Sequence, residues 1–84
     1  MQRRRQSKEP ETLLPPKRQA AAVLARRTEL MLEIAMLQES GQNSRFIANA
    51  EQLLTRWWAA ANWKSRGELL KTADWLLRVE QHRA

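Results

Sequence analysis

Residues 46–61 read FIANAEQLLTRWWAAA, and this stretch decides the fold class. Phe46, Ile47, Ala50, Leu53, Leu54, Trp57, Trp58 and Ala61 recur at spacings of one, three and four, as on one face of an α-helix. Arg45, Asn49, Gln52 and Arg56 fall on the other side. A helix with two adjacent tryptophans on its apolar stripe has a large surface to bury. The chain is therefore expected to pack as a helical domain, with Trp57 and Trp58 both in the core.

Working upstream, Asn43 and Ser44 are good N-caps, so this helix should begin at about 44. Gly41, preceded by Ser40, should end the helix before it, because glycine takes the left-handed position past a helix C-terminus without steric penalty. That first helix is expected over about 16–39, with Pro15 and Pro16 at its entry, where a missing N–H is tolerated. Its main stripe is Val23, Leu30, Ile34 and Leu37, flanked by Leu24, Met31 and Ala35. The polar strip is narrow: Arg26, Glu29 and Glu33. A helix apolar around so much of its circumference is either central in a bundle or covered by a partner.

Downstream, the stripe does not continue. Further turns beyond Ala61 land on Ser65 and Glu68. The next apolar set, Leu69, Leu70, Ala73, Leu76 and Leu77, is rotated by roughly 140° on a continuous wheel. Ser65-Arg66-Gly67-Glu68 has the form of a capping box. These two features predict a break at 62–64 with Trp63 in the turn as a lid on the core, and a third helix over about 66–82. Nothing alternates with period two, so no strand is expected. The fold expectation is all-α: an up-down-up three-helix bundle over 15–84, preceded by a flexible basic arm over 1–14. A helical hairpin whose third helix packs only in a dimer is the second architecture.

An 84-residue chain is one domain at most. Its longest apolar run is Ala20 to Ala25, far short of the roughly 20 residues that span a bilayer. The basic N-terminus has no apolar run behind it, so no secretory signal is expected. There is no cysteine, hence no disulfide and no thiolate metal site. These features predict a cytoplasmic protein.

Catalytic chemistry finds little to work with. His82 is the only histidine and sits in the last turn. Without cysteine or a second histidine no usual zinc set can form within one chain. Glu29 and Glu33 share a helix face, but the Glu-x-x-His motif of bundle di-metal sites is absent. Gly41 and Gly67 are isolated, so there is no phosphate-cradling loop. A non-enzyme with no cofactor, no metal and no small-molecule substrate is expected.

Two kinds of partner remain. The net charge is +6, and Arg3, Arg4, Arg5 and Lys8 form the dense basic run that would attract phosphate. From residue 16 onward, however, 11 basic residues are mixed with 7 acidic ones and do not segregate to one face. Against that, two helices carry apolar residues beyond one stripe. Trp75 and Val79 lie one turn apart and away from the Leu69–Leu77 line; Leu32 and Met36 lie off the main stripe of the first helix. Surplus apolar surface calls for a cover, either a second copy or another protein. The sequence thus reads as a small adaptor or regulator that binds a protein through Leu32, Met36, Trp75 and Val79. A nucleic-acid-binding protein using the arm is the alternative.

Overall fold

The computed structural model describes residues 17–83. The arm over 1–14, with Arg3, Arg4, Arg5 and Lys8, lies outside the described residues. Three helices are present among them, and no strand. Helix α1 is Lys17–Glu39. Helix α2 covers 45–60 in three pieces: an α-helical stretch Arg45–Gln52, a π turn Leu53–Trp57 and a last α turn Trp58–Ala60. Helix α3 is Trp63–Arg83.

The α1–α2 connection forms as its residues dictate. Gly41 has φ 92°, the left-handed position that glycine alone enters freely. The N–H of Gln42 donates to the Leu37 carbonyl at 2.9 Å and that of Gly41 to the Gln38 carbonyl at 3.0 Å. This pair of bonds is a Schellman cap, which satisfies carbonyls that would otherwise be orphaned. Ser44 then starts α2: its Oγ accepts from the Ile47 N–H at 3.2 Å.

The second connection differs from expectation. Asn62, not Ser65, caps α3. Asn62 Oδ1 accepts from the Ser65 N–H at 2.8 Å, and the Asn62 carbonyl accepts from the Arg66 N–H at 2.8 Å. Ser65 thus sits within the first turn, and the Ser65–Glu68 capping box does not form. Trp63 is the first residue of α3 instead of a turn residue. The helix begins three residues earlier than predicted because an amide oxygen was available upstream.

The core is one stripe from each helix: Leu30 and Ile34; Ile47, Ala50, Leu54 and Trp58; Leu70, Ala73, Leu76 and Leu77. Val23, Met31, Leu37, Phe46, Leu53 and Leu69 pack against it, partly buried. Trp58 is 7% exposed but Trp57 is 58% exposed, which corrects the expectation that both are core. The π turn is the cause. The Trp58 N–H bonds to the Leu53 carbonyl, five residues back, so this turn takes up one residue more than an α turn. Residues beyond it lag on the wheel. Trp58 stays on the inward side, and Trp57 is turned out.

Candidate interaction surface

The narrow polar strip of α1, Arg26, Glu29 and Glu33, meets Asp74, Arg78 and Gln81 of α3. Arg26 Nη2 bonds Asp74 Oδ1 at 3.0 Å and Arg26 Nη1 bonds Glu29 Oε1 at 2.8 Å. Arg78 bridges Asp74 at 3.1 Å and reaches Glu33 at 4.0 Å. Gln81 Nε2 donates to Glu33 Oε2 at 2.7 Å. The Arg26 guanidinium is held above its ordinary pKa, first by the hydrogen bond to Glu29 and then by the charges of Asp74, Glu29 and Glu33, with burial opposing. Arginine is charged in any case; the shift records how well the strip is compensated.

The Arg26–Asp74 and Gln81–Glu33 bonds each join residues 48 apart. Equal separations of one sign mean that α1 and α3 run parallel, as an up-down-up order requires. They also set the register: residue n of α1 is level with residue n + 48 of α3.

The apolar residues singled out in the sequence lie beside this strip. Leu32 precedes Glu33 and Trp75 follows Asp74, so each is turned about 100° from its ion-pairing neighbour. Leu32 is 60%, Met36 68% and Trp75 59% exposed; Val79 is half-buried. Further along α1, Ala21, Ala22, Leu24 and Ala25 are exposed as well. The long apolar circumference of α1 is therefore not consumed by the bundle, which buries only Leu30 and Ile34 of this helix completely.

A second cluster escaped the sequence reading. The Arg27 guanidinium lies 5.0 Å from the Trp58 ring centre, and Arg66 lies 5.3 Å from Trp58 and 4.9 Å from Trp63. Cations at this distance are attracted by the ring faces. Arg27 Nε also donates to the Leu54 carbonyl at 2.8 Å. In a continuous α-helix that carbonyl would accept from Trp58, whose N–H is instead given to Leu53. Arg66 Nε donates to the Trp58 carbonyl at 3.2 Å. The two arginines thus serve backbone groups at the irregular end of α2. They hold α1, α2 and α3 together where the small residues Ala59, Ala60 and Ala61 offer little to pack. The sequence clue was the Arg27–Arg66 pair, neither of which fits an i, i+4 ion pair on its own helix.

The residues weighed for catalysis are engaged elsewhere or exposed. Glu29 and Glu33 belong to the α1–α3 strip. His82 is exposed, with Nδ1 2.8 Å from the Arg78 carbonyl oxygen. Among the described residues no group of three or more metal-ligating side chains comes together, and no helix is long and apolar enough to cross a membrane. No family model matches the chain, and no curated protein or solved structure does either.

Proposed function

We propose that the protein is a small non-catalytic helical adaptor or regulator that binds a protein partner through the outer face of α1 and α3. The observation that carries this reading is the exposure of Leu32, Met36 and Trp75 on either flank of one ion-pair strip. A rigid indole offers much area at little entropy cost, and tryptophan is enriched among interface anchors. A small chain gains nothing for its own fold from leaving three large apolar side chains in water. The absence of cysteine suits action in the cytoplasm.

The test is retention of partners from nuclease-treated host lysate on the immobilised chain, with Trp75→Ala beside the parent. Retention by the parent that survives high salt and drops in the variant supports the reading. Retention abolished by nuclease, or falling steeply with salt, would point instead to phosphate contacts and to nucleic acid as the ligand.

A further inference from the structure

We propose that the end of the bundle at which α1 and α3 both begin binds the phosphate backbone of double-stranded nucleic acid. This goes beyond the protein-binding reading and does not rest on it, since Trp75 lies about two and a half turns along α3 from Arg66. Register makes the site. With residue n of α1 level with n + 48 of α3, residues 17–23 lie beside 65–71, and Arg18 comes level with Arg66. Residues 17–23 and 63–71 together hold five basic residues and one acidic residue, Glu68. The remaining described residues hold six of each. The excess positive charge of the helical body is therefore gathered at one end. The sequence hides this, because all of α2 separates Lys17 and Arg18 from Lys64 and Arg66.

Little within the molecule compensates these cations. Glu68 has a 3.9 Å contact with Lys71. Lys17, Arg18, Lys64 and Arg66 make no ion pair among the described residues. Lys17, Arg18 and Lys64 are exposed. Neither α1 nor α3 has an acidic residue in its first turn, although that end of a helix favours negative charge. Cations gathered in this way repel one another, and an anion held among them relieves the repulsion. The basic run Arg3, Arg4, Arg5 and Lys8 precedes Lys17, so it joins the body at this same end.

The rest of this end says which polyanion fits. Gln19, Asn62 and Ser65 are exposed beside the cations. Together with lysine and arginine, such side chains are the ones that contact phosphate oxygens. No large apolar side chain is exposed over 17–23 or 61–71. The end thus has neither the apolar face of a membrane-surface helix nor the exposed anchor of a protein interface. Trp63 is half-buried, with the Arg66 guanidinium 4.9 Å from its ring centre. It offers no open platform on which an unpaired base could stack, which favours a duplex over a single strand.

The experiment is fluorescence anisotropy of the full chain with two labelled DNA duplexes of unrelated sequence, across a salt series. Both duplexes should bind equally, and affinity should fall steeply as salt rises. Arg18→Gln and Lys64→Gln should each weaken binding by about tenfold near 0.1 M salt and lower the slope of log K against log salt by about 0.9. Both side chains are exposed and unpaired among the described residues, so each variant should melt like the parent. Arg45→Gln removes the same charge from the opposite end of the bundle and should change neither affinity nor slope. Trp75→Ala should leave duplex binding as it is. No binding at low salt, or slopes unchanged by Arg18→Gln and Lys64→Gln, would overturn the site. Equal weakening by Arg45→Gln would reduce it to an effect of net charge and overturn it too. Tighter binding to the single strand of the same sequence overturns the duplex as the occupant. Displacement by polyglutamate as effective as by unlabelled duplex at equal charge, or retention on anionic lipid vesicles in place of DNA, overturns nucleic acid in favour of an acidic protein or a membrane.

Discussion

Adjacent tryptophans with opposite fates offer the most direct test of the fold. Trp58 is 7% exposed and Trp57 58%. An indole side chain buries on the order of 200 Å², which at about 25 cal/mol/Å² is worth roughly 5 kcal/mol when fully removed from water. Trp58 realises nearly all of this and adds the two arginine contacts, each about 0.5–1 kcal/mol. Truncations of this kind cost about 3–5 kcal/mol. A domain of this size has about that much stability in total, so Trp58→Ala should leave a largely unfolded chain. Trp57 realises well under half of its area, an upper bound near 2 kcal/mol. Compactness of the unfolded chain and the area retained by alanine reduce this to about 1 kcal/mol. Trp57→Ala should therefore fold and lose roughly 4–8 °C of melting temperature. Circular dichroism during urea and thermal unfolding measures both, and Trp58→Phe provides a folded variant of intermediate stability on the inward position. A Trp57→Ala chain that unfolds while Trp58→Ala survives would refute the placement of the π turn and the rotation that follows from it.

The caps give two further tests. Asn62→Ala should cost about 0.5–2 kcal/mol through loss of the bond to the Ser65 N–H, whereas Ser65→Ala should stay within about 0.5 kcal/mol; equal effects in chemical denaturation would put the start of α3 elsewhere. The two glycines should respond with opposite signs. Gly41→Ala forces a side chain into a left-handed position at φ 92° and should cost about 1–2 kcal/mol. Gly67→Ala adds a methyl group that meets nothing within 4 Å on a helix and should stabilise by about 0.5–1 kcal/mol, read as melting temperatures moving apart.

The parts of the fold that were legible are those in which a local rule has one solution. Gly41 after a long apolar helix ends that helix, and of the adjacent caps Asn43 and Ser44 it is Ser44 that starts the next. The stripes through Leu30, Ile47 and Leu77 follow from 3.6-residue periodicity, and all three residues are buried. The second break was harder because Asn62 and Ser65 each have the side chain of an N-cap, three residues apart. Asn62 forms the cap, and Arg66, one turn on, reaches the Trp58 ring and carbonyl. Local pattern marks Arg66 only as an arginine without an ion-pair partner on its own helix and does not show which ring it meets. The π turn was illegible for the same reason. Trp57 and Trp58 fit one apolar face equally well on a uniform wheel, and the shift between them is coupled to a bond from Arg27, far away in sequence. On the outer face of α1 and α3, surplus apolar residues could be counted from the sequence. Their position on the two flanks of one strip could not, because the strip exists only once Arg26 meets Asp74.

That strip also bears on whether the face can be covered. Isolated charges resist burial strongly, and a partner laid over unpaired arginines or carboxylates would lose more than its apolar contacts return. Here Arg26, Glu29, Glu33, Asp74 and Arg78 already bond one another within a single copy. While open to water, such pairs contribute little, under about 1 kcal/mol each. Their larger consequence is that no charge of the strip would be left bare beneath an incoming helix. Leu32 and Met36 on one flank and Trp75 on the other can then be dehydrated with the strip between them kept satisfied. This is the condition under which surplus apolar surface on a basic, three-helix chain becomes a binding surface.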